Sequence, residues 1–184
     1  MPILNQDDLA RENEVLRAYV AELEERMRWL ERLADSDTLT PLPNRRYFFR
    51  TVERAIAQRA RHGTPAALLF IDFDGLKAIN DTHGHRTGDE ALVHTAYALR
   101  ENVRTGDVVA RIGGDEFAIL LDYTEEAAAS EKARSLAEAL AAKPLHGRVP
   151  VSVSIGVTPL QPEDTPETAL ARADESMYAA KRAP

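Results

Sequence analysis

The 184-residue chain has no cysteine. That excludes a disulfide scaffold, a thiolate zinc site and a cysteine nucleophile. It also lacks an excess of positive charge. Its 23 Lys and Arg stand against 30 Asp and Glu, a formal net charge of −7. A protein that grips duplex nucleic acid by its phosphates is normally basic, so that partner is disfavoured. A local pocket on an acidic protein can still attract a small anion. No apolar run approaches the roughly 20 residues needed to span a bilayer. No basic stretch followed by an apolar one opens the chain, so no signal peptide is expected. The expectation is a soluble cytoplasmic protein, or the cytoplasmic part of a longer one. What the chain does have is enough apolar residue, 44% against 29% charged, to build a core and exclude intrinsic disorder.

Residues 1–36 differ in texture from the rest: they contain no Gly, and no Pro after Pro2. Leu9, Leu16, Leu23 and Leu30 recur every seven residues, with Asn13, Val20, Met27 and Ala34 between them. With the leucines at d, those four fall at a, a coiled-coil seam of about four heptads. Leu at d, Val at a and one Asn at a favour a parallel two-stranded coil in fixed register. At about 1.5 Å per residue, 28 residues make a rod of about 42 Å. The competing reading is an amphipathic helix packed on its own domain, but such a helix shows a broader apolar stripe. Trp29 lies off the seam, placed to touch the domain that follows.

From Asp37 onward the pattern is globular. The Thr40-Pro41-Leu42-Pro43-Asn44 segment ends the handle and starts a helix running to about His62, with Phe48, Val52 and Ile56 on one face. Residues 66–73 are an apolar run that predicts a buried strand. A short helix over 75–80 and a longer one over 87–102 follow. Strands are predicted over 108–112 and 117–121, joined in a hairpin by Gly113-Gly114-Asp115-Glu116. An Ala-rich helix over 125–142, an alternating strand over 149–157 and a helix opening at Thr165-Pro166 complete the chain. This order predicts an α+β fold, a mostly antiparallel sheet with helices packed on it.

Acidic residues gather at two predicted junctions. Asp72 and Asp74 sit at the end of the buried strand; Asp115 and Glu116 sit on the glycine-rich hairpin. If strand end and hairpin lie side by side, Asp72, Asp115 and Glu116 converge, and convergent carboxylates call for a cation. Hard oxygen donors without His or Cys favour Mg²⁺ or Mn²⁺. The helix start at Gly75-Leu76-Lys77 offers amide N–H groups and a positive charge to phosphate oxygens. Together these describe a metal–triphosphate site. The plainer reading is that Asp74, Asp81 and Asp115 are turn residues.

Residues 37–182 resemble the GGDEF domain of bacterial diguanylate cyclases. The resemblance rests on five motifs in family order. These are Asp37-Thr38-Leu39-Thr40-Pro41-Leu42-Pro43-Asn44-Arg45-Arg46, with Pro41 where Gly is common, and the segment from Asp72 through Asp89. The signature Arg111-Ile112-Gly113-Gly114-Asp115-Glu116-Phe117 follows. The last two are the strand around Ser154-Ile155-Gly156 and the helix from Ala173-Asp174 to Lys181. The resemblance divides the chain into a coiled-coil signalling helix, 1–36, and a GGDEF domain, 37–184, related to nucleotide cyclases and polymerase palms.

The resemblance implies that two GTP are condensed to cyclic di-GMP with release of two pyrophosphates, by two domains face to face. It implies Asp72, the Phe73 carbonyl and Asp115 as Mg²⁺ ligands. Glu116 is a further ligand or the group that deprotonates the ribose 3′-hydroxyl; sequence does not divide these roles between Asp115 and Glu116. Lys77 and Lys181 are implied as phosphate contacts. Leu76, His85, Gly113 and Gly114 line the substrate, and Asn80 and Asp89 read guanine. Guanine's adjacent N1–H and N2–H₂ donors suit a carboxylate, whereas adenine turns a lone pair toward it. The alternative for Asn80 is a helix C-cap and for Asp89 an N-cap. Arg104-Thr105-Gly106-Asp107 matches the family's product-inhibition RxxD, nine residues before Gly113; Arg134 or Ser135 falls near the position of a second arginine. Arg reads guanine's Hoogsteen edge bidentately. Homodimerisation through the coil and an upstream sensor are the implied partners. A catalytically silent cyclic di-GMP or GTP-binding module is the alternative function, but silent members lose signature residues and none is lost here. His83 and His85 flank Gly84 in the substrate segment, where a metal role is disfavoured because the carboxylates already suit a hard ion; His62, His94 and His146 are read as surface or packing residues, and Arg45, Arg46 and Arg111 as structural ion-pair formers.

Overall fold

A computed structural model describes residues 6–182. It divides into two compact units, meeting between Asp35 and Ser36. The first is one helix, α1 (Gln6–Asp35). Strong helix formers without Gly or Pro explain its length, and Glu24–Arg28 adds an i,i+4 ion pair at 3.9 Å. Leu9, Leu16, Val20, Leu23, Met27 and Leu30 along the heptad seam are all exposed. So are Val15, Tyr19, Trp29 and Leu33 off it.

The second unit carries α2 (Arg45–His62), β1 (Ala66–Phe73), α3 (Leu76–His83), α4 (His85–Glu101), β2 (Val108–Arg111), β3 (Glu116–Asp122), α5 (Glu126–Ala141), β4 (Val153–Pro159) and α6 (Pro166–Arg182). The strands form one antiparallel sheet in the order β2-β3-β1-β4, which makes the domain α+β. Helices cover both faces. Ala67, Leu69, Ile71 and Phe73 of β1, with Phe117, Ile119 and Leu121 of β3, pack against α4 and α5. Ala66, Leu68 and Phe70, with Ala118 and Leu120, pack against α2 and α6. Burial on both faces is why β1 reads as a continuous apolar run. Among the described residues no helix is long and apolar enough to cross a membrane.

Two elements start later than the pattern predicts. The 40–44 segment is not yet helix. Asp37 accepts from the Leu39 and Thr40 amides and the Thr40 hydroxyl, closing a turn. Asn44 then caps α2, its side chain accepting from the Tyr47 N–H at 3.1 Å. The last strand begins at Val153 rather than Val149. Pro150 has no N–H to give a ladder, and Leu145 and Val149 instead close a turn through Gly147, at φ 69°. Val149 and Val151 are nonetheless buried, which is the apolar alternation seen in sequence. The short helix runs on to His83, and α4 begins at His85 after Gly84.

Candidate active site

Side chains alternate along a strand, so even-numbered residues of β1 and β3 share the α2/α6 face. Asp72 and Glu116 are direct partners in the β1–β3 register. Both carboxylates therefore close the same end of the same face. On the other side Asp72 pairs with Ser154 of β4. The Phe73 N–H donates to the Asp115 carbonyl at 3.0 Å, which fixes the hairpin turn against the strand end. Gly113 has a packing reason: a Cβ there would lie 2.1 Å from Glu116 Oε2. Arg111 steadies the turn, its guanidinium donating to the Gly114 carbonyl at 2.6 Å and pairing with Asp37 at 3.1 Å.

Helix α6 delivers the countercharge. Lys181 Nζ donates to Asp72 at 2.6 Å and stands 3.3 Å from Asp74. Asp74 in turn accepts from the Ser154 hydroxyl at 2.8 Å. Burial pulls the Lys181 ammonium down, but the hydrogen bond and attraction from Asp72, with those from Asp74, outweigh it and leave it raised. Glu116 shows the opposite imbalance. Burial, then the neighbouring Asp115 and Asp72 carboxylates, lift it above its ordinary value of 4.5, with Arg45 opposing and Asp174 adding.

The carboxylates do not form a closed cage. Among the described residues no group of three or more His, Asp or Glu side chains could hold a metal ion. The reason is geometric: Asp72 and Glu116 face each other across the ladder, while Asp115 lies one residue back in the turn. The donor set still fits Mg²⁺ or Mn²⁺. Mg²⁺ characteristically takes one or two carboxylates and fills its other positions with water and phosphate oxygens. The uncompensated repulsion at Glu116 is what such a cation would relieve.

Helices α3 and α4 place the other predicted residues. Gly75 caps α3 in the left-handed conformation, φ 74°, and offers no side chain to its first N–H groups; Leu76 and Lys77 follow in the first turn. Neither capping alternative holds for the predicted guanine readers. Gly84 is the C-cap of α3 and the N-cap of α4, leaving Asn80 within α3 and Asp89 within α4. Asn80 Oδ1 is buried without a partner. His85 is exposed at the start of α4.

The RxxD segment lies elsewhere. The β2–β3 register puts Val108 opposite Leu120, at the far end of the ribbon from Gly113. Asp107 is committed to its own turn, accepting from the Arg104 and Asp122 N–H groups. Arg104 lines a groove with Tyr47, Arg100 and Val103. Arg134 and Ser135 lie on α5, and neither lines that groove. The remaining histidines stay peripheral: His94 meets the Lys143 carbonyl and His146 meets Glu90.

Sequence reasoning missed Ser154, Arg45 near Glu116, and Asp74 as a partner of Lys181. The one available signal was the even numbering of Asp72, Asp74, Glu116 and Ser154, which is usable only once the strands are paired.

A model of the family described as diguanylate cyclase, GGDEF domain, matches residues 34–184. The chain belongs to the GGDEF domain family of diguanylate cyclases. It is 42% identical over 158 residues to the bifunctional diguanylate cyclase/cyclic di-GMP phosphodiesterase MucR of Pseudomonas aeruginosa, covering 84% of this chain and 23% of that protein. It is 39% identical over 173 residues to diguanylate cyclase TpbB of the same species, covering 91% and 40%. This chain thus spans less than half the length of these relatives. The coiled coil and GGDEF domain of DgcB from Caulobacter crescentus, solved in complex with c-di-GMP, superposes with TM-score 0.83 at 28% identity, covering 95% of this chain and 94% of that one. The long helix before a GGDEF domain is therefore shared with a solved relative.

The sign of the Glu116 shift makes a stability prediction. A carboxyl raised in the folded state holds its proton more tightly there than in the unfolded chain. Its contribution is present below pH 4.5 and lost as pH rises through the folded value. Glu116→Gln removes that loss. In EDTA, the variant's Tm should match wild type near pH 4 and exceed it at pH 7, the gap opening as pH rises past the ordinary carboxylate value. A pH-independent difference would show that neither burial nor the neighbouring carboxylates raise Glu116.

Proposed function

We propose that the domain condenses two GTP molecules into cyclic di-GMP. The observation that carries this reading is the pairing of Asp72 with Glu116 at one end of the sheet, beside the Lys181 ammonium. Two acids beside a cationic side chain suit a nucleotide triphosphate with its metal. The 3′-oxygen of one GTP bonds to the α-phosphorus of the other, the bond to the bridging β-oxygen breaks, and pyrophosphate leaves. The reciprocal attack closes the ring.

Asp72, the Phe73 carbonyl and Asp115 would hold Mg²⁺ or Mn²⁺, with Glu116 as a further donor where it does not act as the base. When bound, the ion supplies charge neutralisation on the phosphates and acidifies the attacking hydroxyl. Asp115 or Glu116 takes that hydroxyl's proton. Lys181 and Lys77 hold phosphate oxygens, and Lys181 exchanges Asp72 and Asp74 for them when nucleotide enters. Leu76, His85, Gly113 and Gly114 border the nucleotide, and Asn80 and Asp89 read its guanine edge. Incubation with GTP and Mg²⁺ should yield cyclic di-GMP and pyrophosphate. Glu116→Gln should lower turnover by at least about 100-fold, the range for a lost acid–base or charge-stabilising group. Substantial synthesis by that variant would overturn the role.

One domain holds one GTP, so two must meet. The exposed leucine seam of α1 supports a parallel homodimer, which raises the effective concentration of one domain for the other. An upstream sensor acting through that helix is the corresponding input. Replacing Leu16 and Leu23 by Asn should lower activity per chain, most at low protein concentration. Activity independent of both concentration and these leucines would rule out the coil as the dimer contact.

Arg104 and Asp107 form the proposed product site. It lies at the opposite end of the β2–β3 ribbon from the signature turn, about 17 Å away at about 3.3 Å per strand residue. Product there acts by locking domains apart, a coupling between distinct sites. Asp107 shapes the turn and Arg104 meets the ligand. Progress curves for Arg104→Ala should stay straight longer than for wild type as product accumulates. Equal curvature, with enzymatic product removal as control, would reduce the motif to a loop brace.

A further inference from the structure

We propose that Gly88 is a specificity-determining position, where the absence of a side chain holds the Asn80 amide in its reading orientation. The proposal rests on the assignment of Asn80 as a guanine reader. Gly88 lies buried in the first turns of α4 and is absent from the left-handed glycines, which are Gly63, Gly75, Gly84 and Gly147. Its backbone therefore does not require glycine. A buried glycine in a helix is less favourable than alanine, so something else excludes a methyl group.

That something is Asn80. A Cβ at position 88 would lie 2.0 Å from Asn80 Oδ1, 2.9 Å from Cγ and 3.4 Å from Nδ2. The amide thus occupies the space that a methyl group at position 88 would fill, its oxygen foremost. Asn80 Oδ1 is buried there without a hydrogen-bond partner. An unpartnered buried amide oxygen is unfavourable and persists only when its surroundings impose it. The main chain leaves Asn80 no retreat. Its carbonyl accepts from the Gly84 N–H at 2.9 Å, the Gly84 carbonyl accepts from the Gly88 N–H at 3.3 Å, and the Thr87 hydroxyl donates to the His83 carbonyl at 2.9 Å. A methyl at 88 must therefore be relieved by rotating the Asn80 side chain. Asp89 is the next residue along α4, so the contact at Gly88 also sets the spacing of the two readers. The amide is pre-organised before nucleotide arrives, and the gain appears as affinity for the base it matches.

Gly88 acts through Asn80, so a double-mutant cycle tests it. GTP and ATP binding, each with Mg²⁺, is measured by calorimetry in the non-turning Glu116→Gln background for Gly88→Ala, Asn80→Ala and both together. Gly88→Ala alone should weaken GTP about tenfold and leave ATP nearly unchanged. In the Asn80→Ala background it should cost nothing further, because no amide remains to displace. There it should also raise Tm, since alanine is the better helix former and the clash is gone. Two results would overturn the proposal: wild-type GTP affinity for Gly88→Ala, or losses that add in the double variant and fall equally on GTP and ATP. If Asn80→Ala binds GTP as wild type does, the assignment of Asn80 fails first and this role of Gly88 falls with it.

Discussion

The register of β1 against β3 is the constraint on which the site depends. Asp72 opposite Glu116 means that both carboxylates emerge on the α2/α6 face at one end of the sheet. A slip of one residue would send one of them to the opposite face and bring Phe73 or Phe117 out of the core on the α4/α5 side. Two complementary cores therefore hold the two acids together. The energy that forces like charges into proximity comes from burial of Leu69, Ile71, Phe117 and Ile119, none of which touches a ligand in the proposed reaction. Burial of Glu116, with repulsion from Asp115 and Asp72 added to it, raises its proton affinity.

Compensation comes from elements far away in sequence. Lys181 reaches Asp72 across 109 positions because α6 lies unusually close to β4. At Gly156 a Cβ would fall 1.9 Å from the Ala173 carbonyl, so a side chain there would push the helix and its lysine away from the acids. The glycine is thus a packing requirement with an electrostatic consequence. Ser154, two residues earlier on the same face, holds Asp74.

Arg111 joins the start of the domain to the signature turn. Its side chain holds Asp37 and the Gly114 carbonyl, while its backbone N–H donates to the Pro43 carbonyl. Burial by itself would raise the Asp37 carboxyl. Hydrogen bonds from Thr40, then Arg111, outweigh that and hold it below the usual range. The pair is mostly buried, at 13% and 16% side-chain exposure, so solvent screens it less than a surface bridge. The first residues of the domain and the tip of its hairpin are thereby mechanically one piece.

Sequence by itself determined the local features. The heptad seam of α1, the buried run of β1, the glycine-rich hairpin and the α+β order all follow from periodicity and turn chemistry acting over a few residues. The motif positions were legible for the same reason, since each lies on one short segment. Where the rule was local but competed with another, sequence misplaced boundaries: Asn44 capping delayed α2, and Pro150 delayed β4. Tertiary structure alone decided which face of the sheet holds the acids and which cation answers them. It also decided that Asp107 ties its turn to the end of β3 at Asp122 and that Asn80 lies against Gly88. Each of these depends on contacts between segments distant in sequence or on the docking of one helix on another. A period of two tells which residues share a face, but only the pairing of strands and the packing of helices tells which faces meet.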